Sequence, residues 1–211
     1  MKQRRKVDAV YRDLAVEIDR LTKFNLANQK AYSSASGRSV TFRQLILLNE
    51  AVFFAAFRAY ESFVQDVFLL YCLERRPKSG KRVYSHLKPT SFTHAAELLS
   101  GTTKGPLDWN DPDNVIRRAE LFLRDGFPMK QPYSGSKQLF NEMRRVRNHI
   151  AHRSSASYDK YLAVLRAHYG TVPMSVPEPG EFLLFRSVAD GGGYRLVTYL
   201  QFFKDVGSAV S

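Results

Sequence analysis

The chain has 211 residues, of which 44% are apolar, with 15 Phe and 11 Tyr; that is enough for one domain with a sizeable core and too much large apolar surface for a disordered segment. Thirty-two Lys and Arg stand against 20 Asp and Glu, so the net charge of +12 points to an anionic partner, nucleic acid ahead of an acidic protein surface. The single cysteine, Cys72, excludes an intramolecular disulfide, fits a reducing compartment and reads as a buried core thiol. No apolar run approaches the ~20 residues of a membrane helix, and the basic residues 1–6 are not followed by the apolar stretch of a signal peptide. The expectation is a soluble, cytoplasmic protein with no membrane partner.

Val7, Val10, Tyr11, Leu14, Ile18 and Leu21 recur at spacings of three and four, which predicts a helix over 3–29. A polar stretch, 32–39, breaks the pattern. Thr41 and Gln44 then have capping-box spacing, in which the hydroxyl accepts from the Gln44 N–H and the Gln side chain reaches back. No Gly or Pro interrupts the chain from there to Arg76, so one long helix is expected over 42–75, apolar on most sides and therefore central. A turn at 77–81 carries much of a basic run, Arg75, Arg76, Lys78, Lys81, Arg82 and Lys88, which is either a solvated loop or a phosphate-holding groove.

Residues 82–110 read as irregular apart from a short helix at 92–99, and another helix is expected over 113–124, ended by Gly126 and Pro128. After a loop at 132–135, Ser136 is expected to cap a helix over 137–152, and Ser157 one over 158–168 that stops at Gly170. The Pro-rich 171–180 is a connector. Two short apolar runs, 182–188 and 194–197, flank Ala189-Asp190-Gly191-Gly192-Gly193 as a small hairpin does, and 198–207 reads as helical. The fold class is thus all-α: a helical domain over 1–170 and a C-terminal extension, 171–211, packed on it, with a short β-hairpin as an option in the extension.

The chain has no phosphate-binding glycine loop, no dinucleotide fingerprint, no paired cysteines for zinc and no Gly-x-Ser-x-Gly. Asp108, Asp111 and Asp113 lie close together but flank Trp109 and Pro112, as a loop and helix cap do. Neither a metal nor a cofactor is expected.

The helix over 137–152 is more informative. Leu139, Met143, Val146 and Ile150 share a stripe that belongs to the core. At about 100° per residue, Arg147 borders that stripe, Arg144, Asn148, Ala151 and His152 lie on the far side, and His149 falls on the opposite flank. Guanidinium, amide and imidazole groups without an acid suit metal-free RNA cleavage. That reaction needs a base for the 2′-OH, an acid for the leaving 5′-oxygen and fixed positive charge against the phosphorane. The competing reading is structural, since Arg and His in a last helical turn complement the helix dipole. The bare Arg-x4-His spacing is weak, and Arg144 with His149 satisfies it too.

The wording Arg147-Asn148-x-x-Ala151-His152 on a late helix of an all-helical chain resembles the signature of the HEPN superfamily (higher eukaryotes and prokaryotes nucleotide-binding). The stretch Ala56-Phe57-Arg58-Ala59-Tyr60-Glu61-Ser62-Phe63 resembles an early helix of its ribonuclease-like branch, and the resemblance spans about 42–168. It implies a HEPN-like bundle and a metal-independent endoribonuclease, of the kind found in toxin–antitoxin, abortive-infection and antiviral systems, working as a homodimer with one composite cleft. It assigns Arg147 and His152 as the catalytic pair, Asn148 as their polar companion, and Glu61 as a candidate contact for the Arg. Glu61 shares a polar stripe with Glu50, Arg58 and Gln65 and reads equally as an ion-pair partner of Arg58. Arg144, Arg145, His149 and Arg58 are expected to contact RNA, and Tyr84, Trp109 and Tyr133 either stack bases or pack. The alternative is a non-catalytic HEPN module that binds RNA, nucleotide or a partner protein. An antitoxin or regulatory protein is a further expected partner.

Overall fold

A computed structural model of the protein describes residues 5–33, 39–101, 108–186 and 193–211. Among these the architecture is all-helical: α1 (Val7–Ser33), α2 (Phe42–Cys72), α3 (Phe92–Gly101), α4 (Pro112–Phe122), α5 (Lys130–His152), α6 (Ser155–Tyr169), α7 (Pro179–Phe182) and α8 (Arg195–Ala209). The β structure among the described residues is two isolated antiparallel bridges, Ser85 with Leu123 and Arg186 with Tyr194. No described helix is long and apolar enough to cross a membrane.

Local chemistry explains the boundaries. At the start of α2, the Thr41 N–H donates to Gln44 Oε1 at 2.8 Å and the Gln44 N–H to Thr41 Oγ1 at 3.2 Å, the reciprocal box its spacing predicts. Asp111 caps α4 by accepting from the Asp113 N–H, with Pro112 in the first turn, where no intrahelical donor is needed. Helix α5 starts at Lys130 and takes in the expected loop 132–135: Pro132 lies in the first turn, where its missing N–H costs no bond, and Ser136 is interior rather than a cap. Helix α6 is capped by Ser154, which accepts from the Ser157 N–H, so Ser157 is an interior, buried residue and not the cap. Of the first apolar run of the expected hairpin only Phe182 is helical, as the last residue of α7; the second run opens α8 at Arg195, and a single antiparallel bridge joins Arg186 to Tyr194. The hairpin tip, 187–192, lies outside the described residues, as do 1–4, 34–38 and 102–107.

The chain divides into two compact units, and α1, α2, α5 and α8 each contribute residues to both. The first comprises residues 1–16, 59–141 and 204–211. Its core is aromatic. Tyr133 stacks on Phe140 at 5.0 Å, Phe140 lies 5.5 Å from Tyr60, and the Tyr60 and Tyr133 hydroxyls share a hydrogen bond of 2.9 Å. Trp109 packs on Phe68 at 5.1 Å, with the Arg118 guanidinium 4.9 Å from its ring. Cys72 is buried, and desolvation pushes its thiol up to about 12, so it stays protonated at neutral pH and belongs to the core.

The second unit comprises residues 17–58 and 142–203. Phe53, Phe57, Tyr199 and Phe203 interlock, with ring separations of 5.9 Å for Phe53–Phe57, 5.6 Å for Phe53–Tyr199 and 5.5 Å for Phe57–Phe203. A polar seam runs beside them: Asn25 Nδ2 donates to Asn49 Oδ1 at 2.6 Å and Asn49 Nδ2 to the Gly180 carbonyl at 3.3 Å. Gly180 is required there, because a β-carbon on it would lie 2.1 Å from the Ile46 carbonyl oxygen. The backbone of α7 therefore touches that of α2.

Candidate functional site

The last three turns of α5 lie in the second unit and carry the candidate residues. Met143 and Val146 are buried, as their stripe predicts, whereas Arg144, Arg147, Asn148, His149 and Ile150 are half-buried and Arg145, Ala151 and His152 are exposed. Arg147 is held in place. Its guanidinium lies 5.3 Å from the Phe54 ring and 5.8 Å from the Phe57 ring, and Nη1 donates to Asn148 Oδ1 at 3.1 Å. Two rings of α2 and one amide thus fix the direction of the positive charge. His152 is the last residue of α5 and presents its imidazole to solvent.

The helix ends at Arg153, whose backbone takes a left-handed φ of +45°. Its Nη2 lies 3.0 Å from Glu50 Oε2, and Glu50 is 5% exposed. The other Glu50 oxygen accepts from the Gly180 N–H at 3.2 Å. One buried carboxylate therefore ties the residue after His152 both to α2 and to α7. Neither Glu50 nor Arg153 stood out as a site residue from spacing, although Glu50 shares the polar stripe of Glu61.

His149 sits differently from His152. Its ring stacks on Tyr161 at 5.1 Å and lies 5.4 Å from Tyr158, and Nδ1 is 3.2 Å from Ser157 Oγ. Burial, and then the neighbouring Arg153 charge, hold its pKa below the ordinary histidine value, so it is neutral at physiological pH. His149, Arg153, Arg43 and the tyrosines 158 and 161, with 176–179, line an open cavity of roughly 330 Å³, where Arg43 pairs with Glu178.

Arg58 is exposed in the second unit. Glu61 belongs to the first unit, where its Oε1 accepts from Asn110 Nδ2 at 2.6 Å. Trp109 and Tyr133 are buried at 5% and 1% exposure, which makes them packing residues, and Tyr133 lies on α5 rather than in a loop. Asp111 is the cap of α4, and Asp108 Oδ1 accepts from the Asn110 N–H at 3.2 Å, the loop-and-cap arrangement read for this stretch. Among the described residues no three His, Cys, Asp or Glu gather as metal ligands. No protein-family model, curated protein or solved structure matches the chain.

Proposed function

We propose that the protein is a metal-independent endoribonuclease of the HEPN type, acting in the cytoplasm as a homodimer in a toxin or antiviral-defence role, under the control of an antitoxin or regulatory protein. The observation that carries this reading is the pairing of an oriented Arg147 with an exposed imidazole at the end of the same helix. Asn148, Phe54 and Phe57 hold the guanidinium, and His152 is solvent-facing. A base removes the 2′-OH proton, the 2′-oxygen bonds to phosphorus, and the P–O5′ bond breaks as an acid protonates the leaving oxygen. The products are a 2′,3′-cyclic phosphate and a free 5′-OH. Arg147 offers its fork of N–H groups to the phosphorane oxygens, where charge develops.

Cleavage needs a base and an acid, and His149 is occupied by Ser157 and Tyr161. Each α5 therefore supplies one exposed imidazole, His152, so two copies of the chain supply the pair. Purified protein is expected to cut single-stranded RNA in the presence of EDTA. His152→Ala should lower the rate by about 10²–10⁴-fold and Arg147→Ala by about 10²–10³-fold. Wild-type protein that leaves RNA intact, or a His152→Ala variant that still cuts it, defeats the proposal.

A second reading has its own support, in that Arg147 is half-buried against Phe54 and Phe57, as a structural arginine is. On that reading the chain is a non-catalytic module for RNA, nucleotide or a partner protein. It then binds without turnover, and Arg147→Ala lowers the melting temperature with no cleavage to lose.

A further inference from the structure

The six cations of the basic run after α2 are all exposed, but the backbone that carries them is tied down. Between Glu74 and Lys88 stand six Lys or Arg and one acid. The segment is anchored along its length. The Lys78 N–H donates to the Ser211 carbonyl at 2.6 Å, and Glu74 Oε1 accepts from the Ser85 N–H at 3.2 Å and from Lys88 Nζ at 3.0 Å. Ser85 bridges Leu123, flanked by bonds of 2.9 Å from the Arg124 N–H to the Tyr84 carbonyl and from the His86 N–H to the Phe122 carbonyl. This stretch alternates as an extended strand does: Val83 and Ser85 are buried, whereas Arg82, Tyr84 and His86 are exposed. Three chemistry-bearing side chains therefore face solvent together.

The bridge also brings Arg124 alongside. The Arg82 guanidinium lies 4.8 Å and the Arg124 guanidinium 4.2 Å from the centre of the Tyr84 ring, which is 37% exposed. Three residues before Tyr84, Lys81 Nζ lies 5.9 Å from the Phe127 ring, and Lys78, Lys81 and Phe127 border a cavity of roughly 430 Å³. All of these residues belong to the first unit. The nearby acid Glu74 is bound to Lys88 and Ser85, and its charge also reaches Arg82, so it offsets a minority of the cations.

We propose that Tyr84, framed by Arg82 and Arg124, is a stacking platform for single-stranded nucleic acid, with the neighbouring lysines as its phosphate contacts. Guanidinium groups stacked on a ring keep an outer π face for a base and edge N–H groups for phosphate oxygens. A duplex cannot use such a platform, because its bases are already stacked inside the helix, whereas an unpaired strand offers base and phosphate together. The site goes beyond the proposed cleavage and holds whether or not His152 cuts RNA.

The test is fluorescence anisotropy with full-length protein and three labelled probes without a free 2′-OH, so that none can be cleaved by 2′-OH attack: a 2′-O-methyl oligouridine, an oligothymidine, and a fully 2′-O-methylated RNA duplex with the same number of phosphates. Tyr84→Ala should weaken oligouridine binding by roughly five- to hundred-fold and leave duplex binding within twofold, whereas Tyr84→Phe binds like wild type. Arg82→Gln and Arg124→Gln should each flatten the salt dependence of single-strand binding by about 0.7 in log–log slope. Circular dichroism of every variant checks folding, and if Tyr84→Ala unfolds, the two Arg variants decide the matter. Equal loss with oligothymidine supports a platform for either strand, and loss confined to oligouridine supports one for RNA. Tyr84→Ala and Arg variants that bind as wild type, equal losses on single strand and duplex, or a parallel loss of poly-glutamate binding would overturn the proposal, the last of these by marking a surface for acidic protein. Because the probes cannot be cut, absent cleavage leaves this result standing, and normal cleavage does not rescue it.

Discussion

Arg153 follows His152 directly, and its left-handed backbone ends α5 where a glycine is the usual choice. A β-carbon at φ +45° costs on the order of 1 kcal/mol or more, so something must hold an arginine there. The ion pair with Glu50 does so, because a carboxylate with 5% exposure needs its charge met. Arg153→Ala keeps the backbone cost and strands the carboxylate, with the Gly180 N–H still bound. It should lower stability by about 1–3 kcal/mol, toward the lower end because the Arg153 head reaches solvent. Arg153→Gly removes the same partner but relaxes the backbone and should be the milder change by about 1 kcal/mol. Urea unfolding midpoints at an unchanged slope measure both, and an Arg153→Ala variant as stable as wild type would show that Glu50 needs no cation.

At the scale of elements, Gly135 decides how α5 is to be understood. Together with Pro132 it reads in sequence as a loop, yet it lies inside the helix, with no atom near the place a β-carbon would take. Gly135→Ala should therefore raise stability by roughly 0.5–1 kcal/mol through helix propensity and a less flexible unfolded chain, read as a higher thermal midpoint. A loss of stability there would mean that α5 starts later, as the sequence pattern suggests. The same contrast explains what was legible in advance. Helix α1 follows from a long apolar periodicity, α2 from an apolar stretch without Gly or Pro, and the Thr41–Gln44 box from its spacing, whereas the first turn of α8 reads in sequence as an arm of the hairpin. Caps inside serine clusters were not legible, because Ser154 and Ser157 have equal local claims on α6 and packing chooses between them. The border position of the half-buried Arg147 and the exposure of His152 follow from 100° steps, but the half-burial of Asn148 and the clamp at the end of the helix do not. Glu50 and Arg153 are 103 residues apart, and nothing in an arginine side chain announces a left-handed backbone.

At the scale of the whole molecule, a net charge of +12 and one exposed motif imidazole per chain pull in different directions. Like charge opposes association of two copies, and it does so most at low salt. Proton transfer at both oxygens of the scissile phosphate asks for two imidazoles, which favours a two-fold pair whose α5 ends share a cleft. On the proposed function RNA would reconcile these demands, since a polyanion between two copies neutralises their repulsion. The proposed cleavage should then depend on how subunits are mixed. If wild type and His152→Ala are refolded together in varying proportion at constant total protein, every mixed pair lacks either the acid or the base. Activity should fall with the square of the wild-type fraction, to about one quarter at equal parts, because only wild-type pairs carry both groups. A site complete within one chain gives a straight line and about one half at that point. The shape of the curve therefore separates a shared cleft from a self-contained one without any need to see the dimer.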